Sequence, residues 1–453
     1  MFHLYGEALN GLVRKRVLCV YTILLSGGSG KRLWPLSGPA RSKQYIRFLP
    51  DEKTGQPRSM VQRIWRQLQA ASLAQNCLIC AGQNQIDILH SQLGEVPIAA
   101  EPACLDTFPA VALSCAYLTS KMHARPDDAV CIMPVDPYTD ESYFAALKRM
   151  PQVLQDSGAQ VVLMGIRPLS PSGGFGYMLP ERNQGNFLSI REFVEKPDPA
   201  RAEELIAQGA LWNGGVFCLR IGTVLDRLRT GGFPTDYDEL YRQYDALPAI
   251  SFDYAFVEHC PRLAAIPFEG TWKDIGSWGA VSKIAQSAAP DNCRIDDSCR
   301  NVFAVNKTNI PLVLLGVSNL VAAVSGDGIL IADPASELAL KQVVDTLPAR
   351  PAFEEKSWGN AVVLDYFEQG GLCCTVQKIT VKSEACLHAE MLTPANGSFS
   401  VLKGSGRFLC AGNETQLFPG QCVSLPAGAA YSACAGKEGL ILILSRQEPV
   451  SSP

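Results

Sequence analysis

The stretch that decides the fold reads Leu25-Ser-Gly-Gly-Ser-Gly-Lys-Arg-Leu-Trp-Pro-Leu-Ser37, the signature loop. It follows directly on the apolar run Val17–Leu25, which the pattern predicts to be a buried strand. Small residues let backbone amides approach and wrap phosphate oxygens, and the two cations Lys31 and Arg32 can neutralise their charge. The sequence therefore predicts a phosphate-binding loop at the end of the first strand.

The pattern closest to this loop is the P-loop, G-x-x-x-x-G-K-[ST], and the chain does not match it. The first glycine of that pattern would fall on Leu25, and Arg32 stands where the Ser or Thr that holds magnesium belongs. A plain Gly/Ser turn would explain Gly27–Gly30 alone, but it would not explain the whole stretch. The commonest NTPase interpretation is therefore set aside.

Short apolar runs alternate with helical patterns from Val17 to about Ile284. The predicted strands are Val17–Leu25, Cys77–Ala81, Ala129–Met133 and Gln160–Ile166, and the predicted helices between them are Met60–Ala74 and Phe144–Leu154. This alternation predicts an α/β domain with a mainly parallel sheet covered on both faces. Ligands of such sheets bind beyond the carboxyl ends of the strands, so the chemistry is expected there.

The pattern changes near Ala288–Asp297, where helical periodicity fades and short β-type runs take over. One helix, roughly Ser336–Leu347, closes this β-rich segment, and everything after Pro351 is β-like with regular turns. We predict four parts: an N-terminal extension at 1–16, the α/β domain at 17–287, a β-rich linking segment at 288–350 and an all-β domain at 351–453.

The composition indicates a globular chain of 453 residues, 47% apolar and 19% charged, with a net charge of -4. That charge and the lack of a long basic run argue against nucleic-acid binding. The apolar run Val17–Leu25 is too short for a membrane span and is not followed by a signal-peptide cleavage site. Most of the sixteen cysteines lie in apolar runs, where a strand interpretation outweighs a redox or metal site for Cys77 and Cys80. These features predict a reducing, cytoplasmic setting.

The loop, with Lys43-Gln44 after it, resembles the bacterial mannose-1-phosphate guanylyltransferases, which read G-G-S-G-T-R-L-W-P-L-S and then P-K-Q. Further landmarks of that family follow in the same order, namely Asp136, Gly174-Phe-Gly-Tyr177, Phe193-Val-Glu-Lys-Pro197, Trp212-Asn-Gly-Gly-Val-Phe217, Ser251-Phe-Asp-Tyr-Ala255 and Trp272-Lys-Asp-Ile-Gly-Ser-Trp278. The resemblance continues to about residue 447 and covers the long form of the family, which ends in a cupin-like isomerase domain. It implies a Rossmann-like nucleotidyltransferase domain, a short β-helix-like segment and a cupin-like domain.

The resemblance also implies the reaction, in which an oxygen of mannose 1-phosphate attacks the α-phosphorus of GTP and pyrophosphate leaves. Such a reaction needs positioning and charge neutralisation rather than a covalent intermediate. The catalytic residues would be Arg32, Lys43, Asp136 and Asp274. The two aspartates would hold Mg²⁺, the expected cofactor, because magnesium prefers carboxylate and phosphate oxygens.

The remaining implied site residues bind the two substrates. Gly27, Gly28, Ser29, Gly30 and Lys31 would contact the nucleotide, and Gly176, Glu195, Lys196 and Asn213 would contact the sugar phosphate. Taken one at a time these residues have ordinary explanations: each aspartate could be a turn residue, and the Glu195-Lys196 pair could be solvated.

Three departures from the family pattern lie near the expected positions of the substrates. An Arg-Asn pair near the nucleotide base has become Leu105-Asp106, which leaves strict GTP use open, and Ser172-Gly173 replaces Glu-Thr near the sugar. Lys31 stands where the family has Thr. A nucleotidyltransferase acting on another NTP or sugar 1-phosphate, or a non-catalytic ligand-sensing relative, are the alternatives, and the presence of both aspartates argues against the second.

The C-terminal domain departs further, because the metal-binding histidines of the isomerase are missing. Met391, Leu392, Thr393 and Asn396 occupy their stretch, Tyr431 replaces the later histidine, and His388 is the sole histidine beyond residue 259. A site that needs several imidazoles cannot be built there. We therefore predict a degenerate cupin-like domain without isomerase activity. The sequence does not fix the oligomeric state, and the linking segment and this domain are candidate surfaces for a homo-oligomer.

Overall fold

The computed structural model describes residues 19–28, 31–38, 41–51, 54–183, 185–284, 292–347, 352–389 and 396–449. The predicted extension at 1–16 lies outside these residues, as do Ser29 and Gly30 of the loop. The predicted boundaries at 287/288 and 350/351 also fall outside them, so the division into domains stays a prediction.

The N-terminal α/β unit is built from thirteen described strands and eight described helices. The strands are β1 (Val20–Leu25), β2 (Leu49–Pro50), β3 (Pro57–Arg58), β4 (Cys77–Gly82), β5 (Ile98–Glu101), β6 (Ala129–Pro134), β7 (Pro137–Thr139), β8 (Val161–Ile166), β9 (Tyr177–Asn183), β10 (Leu188–Val194), β11 (Leu211–Arg220), β12 (Leu263–Phe268) and β13 (Trp272–Asp274). The helices are α1 (Met60–Ala70), α2 (Ile86–Leu93), α3 (Thr107–Lys121), α4 (Glu141–Ser157), α5 (Pro199–Ala207), α6 (Ile221–Thr230), α7 (Tyr237–Arg242) and α8 (Trp278–Ser282).

Nine of these strands form one central sheet in the order β5-β4-β1-β6-β11-β8-β12-β10-β9. Helices cover both faces: α1, α2, α4 and α5 pack on one, and α3, α6 and α7 on the other. Successive residues of β1 therefore face opposite cores, with Leu24 on one side and Ile23 on the other. This double burial explains why the strand reads as a continuous apolar run rather than an alternating one.

Two strands of the sheet run against the others. β1, β4, β5 and β6 pair in parallel, as do β8 and β12, but β11 is antiparallel to both β6 and β8, and β10 is antiparallel to β12 and β9. The sheet is therefore mixed, and the prediction of a mainly parallel sheet did not include these two reversed strands. An apolar strand has the same pattern in either direction, and only the connections and the packing decide its orientation.

The helix ends differ from the predicted ones because local caps set them. α1 begins after Ser59, whose side chain and that of Gln62 form a capping box, and it ends at Ala70 rather than Ala74. α4 is longer than predicted, because Asp140 caps its first turn and Gly158 ends it in a left-handed conformation.

The linking segment contains β14 (Cys293–Ile295), β15 (Arg300–Asn306), β16 (Leu312–Leu314), β17 (Ser318–Ser325), β18 (Gly328–Ala332) and α9 (Glu337–Val344). β14 pairs in parallel with β16 and β15 with β17, whereas β18 is antiparallel to β17. Phe303, Val321 and Leu330 of this segment share one core with Leu33 and Leu36. The segment thus packs directly on the signature loop, and its β-helix-like character stays a prediction.

The C-terminal unit is all β, with β19 (Phe353–Lys356), β20 (Gly359–Gln369), β21 (Leu372–Val381), β22 (Cys386–Ala389), β23 (Asn396–Cys410), β24 (Asn413–Leu417), β25 (Cys422–Leu425) and β26 (Tyr431–Pro449). These described strands pair antiparallel throughout. Phe399, Phe408 and Tyr431 form an aromatic cluster in its core, with ring centroids 5.3 to 6.0 Å apart. An all-β unit was predicted here, and its cupin-like identity stays a prediction.

The cysteines show one feature that the sequence did not predict. Cys386 and Cys434 lie directly opposite each other on β22 and β26 and form a disulfide. Cys77 and Cys80 lie in the interior of β4 as buried thiols, and burial raises the pKa of Cys77 to about 12. The strand interpretation of this pair therefore agrees with the structure. The helices of the described residues include none that is long and apolar enough to cross a membrane.

Candidate active site

A cleft of about 200 Å³ opens at the carboxyl end of the sheet, where α/β sheets bind ligands. It brings together six of the predicted site residues, contributed by five separate parts of the chain. These are Asp136, Gly176, Glu195, Lys196, Asn213 and Asp274. The remaining wall is formed by Pro134, Pro137, Gly174, Phe175, Gly214, Gly215, Asp253 and Trp272.

The two predicted metal ligands are brought together by a two-stranded ribbon. Asp136 follows β6 and precedes β7, and β7 pairs antiparallel with β13 so that Asp274 lies opposite Pro137. Asp140 closes the same ribbon, because its carboxylate accepts a 2.7 Å hydrogen bond from the amide of Thr271. Residues 138 positions apart in the sequence are thereby fixed as near neighbours in the cleft.

Lys43 does not itself line the cleft, but it contacts Asp136 from the side of the signature loop. Its ammonium lies 2.6 Å from Asp136 Oδ2. Burial alone would lower the pKa of Lys43, but the neighbouring carboxylates of Asp136 and Asp274 outweigh it and raise that pKa. Lys43 is therefore held as a cation beside the two aspartates.

The residues after Lys43 tie it to the end of β1. Gln44 donates a 2.6 Å hydrogen bond to the carbonyl of Ser26, and the hydroxyl of Tyr45 lies 3.0 Å from that of Ser26. All three of these polar side chains are buried. The short 3-10 helix Lys43–Tyr45 and the signature loop consequently behave as one unit.

The opposite wall of the cleft carries Glu195 and Lys196 after β10. Their side chains pair at 2.9 Å, and Lys196 adopts a left-handed backbone with φ of 46°. Burial opposes the charge of Lys196, yet Glu195 and then Asp253 raise its pKa. A Cβ on Gly176 would lie 2.5 Å from Glu195 Oε2, so only glycine leaves room for this carboxylate.

Asn213 is fixed on β11 by both its backbone and its side chain. Its amide donates a 2.7 Å hydrogen bond to the carbonyl of Gly176, and its side-chain oxygen accepts from the amide of Gly215. Its side-chain NH₂ donates a 2.6 Å hydrogen bond to Asp253 Oδ1. The side chain is therefore held in one orientation at the cleft.

Asp253 is a cleft residue to which the sequence analysis assigned no role. It belongs to the motif Ser251-Phe-Asp-Tyr-Ala255, and an acidic residue between two aromatic ones was the available signal that it could be a site residue. Burial and the nearby charge of Glu195 raise the pKa of Asp253 to about 7, although Lys196 acts in the opposite direction. Asp253 therefore titrates near neutral pH, within the wall of the cleft.

The predicted nucleotide-binding loop is described in part. Gly28 has a φ of +100°, which favours glycine, and a Cβ on Gly27 would meet the carboxylate of Glu101 at 3.5 Å. Arg32 is exposed and near enough to Lys43 to act on its pKa, but it does not line the cleft. Ser29, Gly30 and the side chain of Lys31 lie outside the described residues.

The donors of the cleft fit a hard divalent cation. Asp136 and Asp274 offer carboxylate oxygens, and the described residues contain no cluster of three or more His, Cys, Asp and Glu that could hold a metal. A pair of carboxylates suits a cation that takes its other ligands from phosphate and water, as magnesium does.

Comparison with known proteins places these features in a family. The profile of the nucleotidyl transferase family matches residues 21–290. The chain is 27% identical over 442 residues to a xanthan biosynthesis protein of Xanthomonas campestris pv. campestris, covering 88% of this chain and 91% of the relative. It is also 27% identical over 452 residues to a mannose-1-phosphate guanylyltransferase of Escherichia coli, covering 91% of each.

Among solved structures, the chain is similar to one described as a mannose-1-phosphate geranyltransferase from Thermus thermophilus. The TM-score is 0.60 at 28% identity, and the match covers 72% of this chain and 98% of the other. The predicted Rossmann-like nucleotidyltransferase fold is thereby confirmed. The long relatives cover the C-terminal unit as well, which confirms the predicted long form of the chain.

Proposed function

The chain belongs to the nucleotidyl transferase family and is a nucleotidyltransferase, and we propose that it transfers the guanylyl group of GTP to mannose 1-phosphate. The observation that carries this proposal is the single cleft in which Asp136 and Asp274 face Glu195, Lys196 and Asn213. One side of the cleft suits a phosphate chain with a divalent cation, and the other suits a sugar phosphate. The names of the full-length relatives supply the substrate class.

In the proposed reaction a phosphate oxygen of mannose 1-phosphate attacks the α-phosphorus of GTP. The new P–O bond gives GDP-mannose, and the bond to the β-phosphate breaks so that its electron pair leaves with pyrophosphate. Lys43 and Arg32 would hold the triphosphate, and Lys196 would hold the phosphate of the sugar. Lysine acts there as a compact point charge, which suits a charge-neutralising role.

The other polar groups of the cleft would orient the sugar. Glu195 and Asn213 would accept and donate hydrogen bonds to its hydroxyls, and the close approach at Gly176 would admit the ring. Asp253 would hold the side chain of Asn213 in place through their 2.6 Å hydrogen bond. These contacts contribute positioning, the main contribution a protein makes to phosphoryl transfer.

Nucleotidyltransferases of this family generally use a divalent metal, and we propose Mg²⁺ here. Asp136 and Asp274 would hold it, and its charge would stabilise the phosphate oxygens on which negative charge develops. Lys43, which pairs with Asp136 at 2.6 Å, would exchange part of that pairing for contacts with the nucleotide.

A change of substrate within the same reaction is the second candidate. Asp106 replaces a family asparagine near the nucleotide base, and in the structure it has φ of 75° and caps α3 through the amide of Thr107. The side chain is therefore engaged in the helix cap. Recognition of the base by this segment would differ from that of the family, so another NTP or sugar 1-phosphate is a specific alternative.

We further propose that the C-terminal unit lacks isomerase activity. His388 lies exposed on β22, and Tyr431, at the position of a second family histidine, packs into the aromatic core. Met391, Leu392 and Thr393 lie outside the described residues, but their side chains are not imidazoles. Relatives with names from xanthan and alginate biosynthesis support a polysaccharide pathway for the nucleotide sugar.

The test is a matrix of the purified chain with ATP, CTP, GTP and UTP against mannose, glucose and galactose 1-phosphates in Mg²⁺, with release of pyrophosphate as the readout. The GTP and mannose 1-phosphate pair should give the highest kcat/KM, and EDTA should abolish the signal. A higher value for another pair would replace the substrate assignment, and no pyrophosphate with any pair would sink the proposal.

A further inference from the structure

The first strand of the C-terminal unit, β19, docks on the nucleotidyltransferase unit through one nearly buried carboxylate. The side chain of Glu355 is 7% exposed and forms a bidentate pair with Arg47, at 2.5 Å and 3.2 Å. The hydroxyl of Ser91 on α2 donates a further hydrogen bond of 2.9 Å, and the side chain of Gln92 donates one of 3.4 Å. A carboxylate with this many donors fixes the position of every group that contacts it.

A second contact of β19 is with Arg41, so β19 contacts both ends of residues 41–47, which we call the Lys43 segment. The ring of Phe353 stacks on the guanidinium of Arg41 at 4.6 Å, and Arg41 in turn donates two hydrogen bonds, of 3.1 Å and 2.9 Å, to the carbonyl of Leu36. Burial lowers the pKa of Arg41, whereas the nearby carboxylates of Asp327 and Glu355 act to raise it. Arg41 thus links β19 to the end of the signature loop.

Lys43 lies between these two anchors. Arg41 and Arg47 are separated by six positions, and the residues between them include Lys43, whose ammonium is 2.6 Å from Asp136. Gln44 and Tyr45 attach the middle of the segment to Ser26. The segment is therefore held at both ends by the C-terminal unit, and its Lys43 side chain contacts the cleft residue Asp136.

We propose that β19 supports the nucleotide site from outside the cleft, with Glu355 as a positioning residue that acts through Arg47 on Lys43. This inference rests on the proposed role of Lys43 in holding the triphosphate. Lysine is a flexible side chain, and a segment that had to be ordered on each binding event would lose affinity to the entropy of ordering. Anchoring both ends lets the segment meet the nucleotide already ordered.

Through these contacts the C-terminal unit would order the Lys43 segment, a role that needs no catalytic activity in that unit. Removing Glu355 would leave Arg47 without its carboxylate, and removing Arg47 would leave a nearly buried charge unpaired. Either change frees one end of the segment without touching the cleft. The β-rich linking segment adds a further anchor, since Ser325 donates a 2.7 Å hydrogen bond to the carbonyl of Pro35.

The experiment compares nucleotide binding and turnover in the full-length chain and in Glu355→Gln. We expect the Kd and the KM for the nucleoside triphosphate to rise roughly tenfold, with the KM for the sugar phosphate changed by less than twofold. Phe353→Ala should have a smaller effect in the same direction. Lys356→Ala is the matched control, because Lys356 lies on the same strand and its ion pair, at 3.7 Å, is with Asp87 of α2.

Rescue separates positioning from a general loss of stability. The conservative variant Glu355→Asp keeps a carboxylate for Arg47, Ser91 and Gln92 and should retain more of the nucleotide affinity than Glu355→Gln. A purely structural role would lower the melting temperature while leaving the Kd and KM of the folded protein unchanged, and that result would overturn the inference. If the wild-type chain binds nucleotide but shows no transfer, the proposed function fails while the binding comparison still decides the role of β19.

Discussion

Asp136 and Asp274 illustrate how much of this site depends on single side chains. Asp136 lies between β6 and β7 and Asp274 ends β13, and both line the cleft, where Asp136 also pairs with Lys43. Each residue alone resembles an ordinary turn aspartate, so it is their proximity in the cleft that suggests a metal site. The pairing of β7 with β13 brings the two aspartates close together.

Replacement of Asp274 by Asn should abolish turnover while the chain stays folded. The amide keeps the shape but removes the charge that would hold the divalent cation, and the loss of such an electrostatic contribution costs on the order of 100-fold or more in kcat. Steady-state release of pyrophosphate measures it, and Asp226→Asn, on an exposed side chain of α6, is the control. Activity within twofold of wild type would contradict the metal assignment.

Asp253 makes the stability depend on pH in a predictable direction. Its folded pKa of about 7 exceeds the ordinary value of 3.8, so the folded state keeps the proton longer than the unfolded state. The fold therefore loses stability as the pH rises from about 4 through 7, and the penalty is complete above that range. Glu195 and Lys196 face the same carboxyl and act on it in opposite directions.

Replacement of Asp253 by Asn should remove this penalty. We expect the variant to be more stable than wild type by about 4 kcal/mol at pH 8, with the difference disappearing near pH 4, because the amide never ionises. Thermal unfolding at the two pH values measures it. Asp226→Asn again serves as the control, and an equal difference at both pH values would show that Asp253 does not titrate as described.

At the scale of elements, the start of β9 depends on a close approach to β10. A Cβ on Gly176 would lie 2.5 Å from Glu195 Oε2 and 2.8 Å from the Phe193 ring. Gly176→Ala should therefore displace Glu195 and raise the KM for the sugar phosphate roughly tenfold, with the KM for the nucleotide nearly unchanged. Gly38→Ala is the control, since Gly38 does not line the cleft and an added Cβ there has no atom within 4 Å.

The disulfide between β22 and β26 should stabilise the C-terminal unit only under oxidising conditions. It closes a separation of 48 residues, for which loop-closure entropy predicts about 4 kcal/mol. The unfolding transition of this unit should therefore fall on addition of dithiothreitol, and titration of the oxidised, unfolded chain should find fourteen thiols. In Cys434→Ala the transition should not respond to dithiothreitol; sixteen thiols in the oxidised wild type would contradict the bond.

At the scale of the whole molecule, the chain should carry one activity rather than two. Incubation with fructose 6-phosphate and a series of divalent metals should give no mannose 6-phosphate above the rate without protein, because an isomerase site needs several imidazoles and His388 is the sole histidine beyond residue 259. A long-form relative that retains the histidines is the positive control. Formation at enzyme-level rates would refute the prediction.

The units of the molecule are joined at the site itself. The linking segment shares a core with Leu33 and Leu36 of the signature loop, and β19 contacts Arg41 and Arg47 on either side of Lys43. A C-terminal unit without chemistry of its own would still support the first unit. This arrangement gives a physical reason for keeping the long chain.

The sequence alone determined the α/β class and the family, and it predicted the phosphate-binding loop and the residues of the candidate site. These features are local: an apolar run of given length, a glycine-rich turn or a motif in order can be read along the chain because the physics behind them acts over a few residues. Six of the predicted residues, among them Asp136 and Asn213, line one cleft, and their roles there stay predictions.

Only the tertiary structure decided the reversed strands β10 and β11, the role of Asp253, the Cys386–Cys434 bond and the docking of β19 on the Lys43 segment. Strand direction leaves no mark on apolar periodicity, and a raised carboxyl pKa comes from burial and from charges that are distant in sequence. Arg47 and Glu355 are 308 positions apart, and the local sequence around either residue does not predict that they pair. Such contacts form because the chain folds back on itself, so their energies depend on the whole fold.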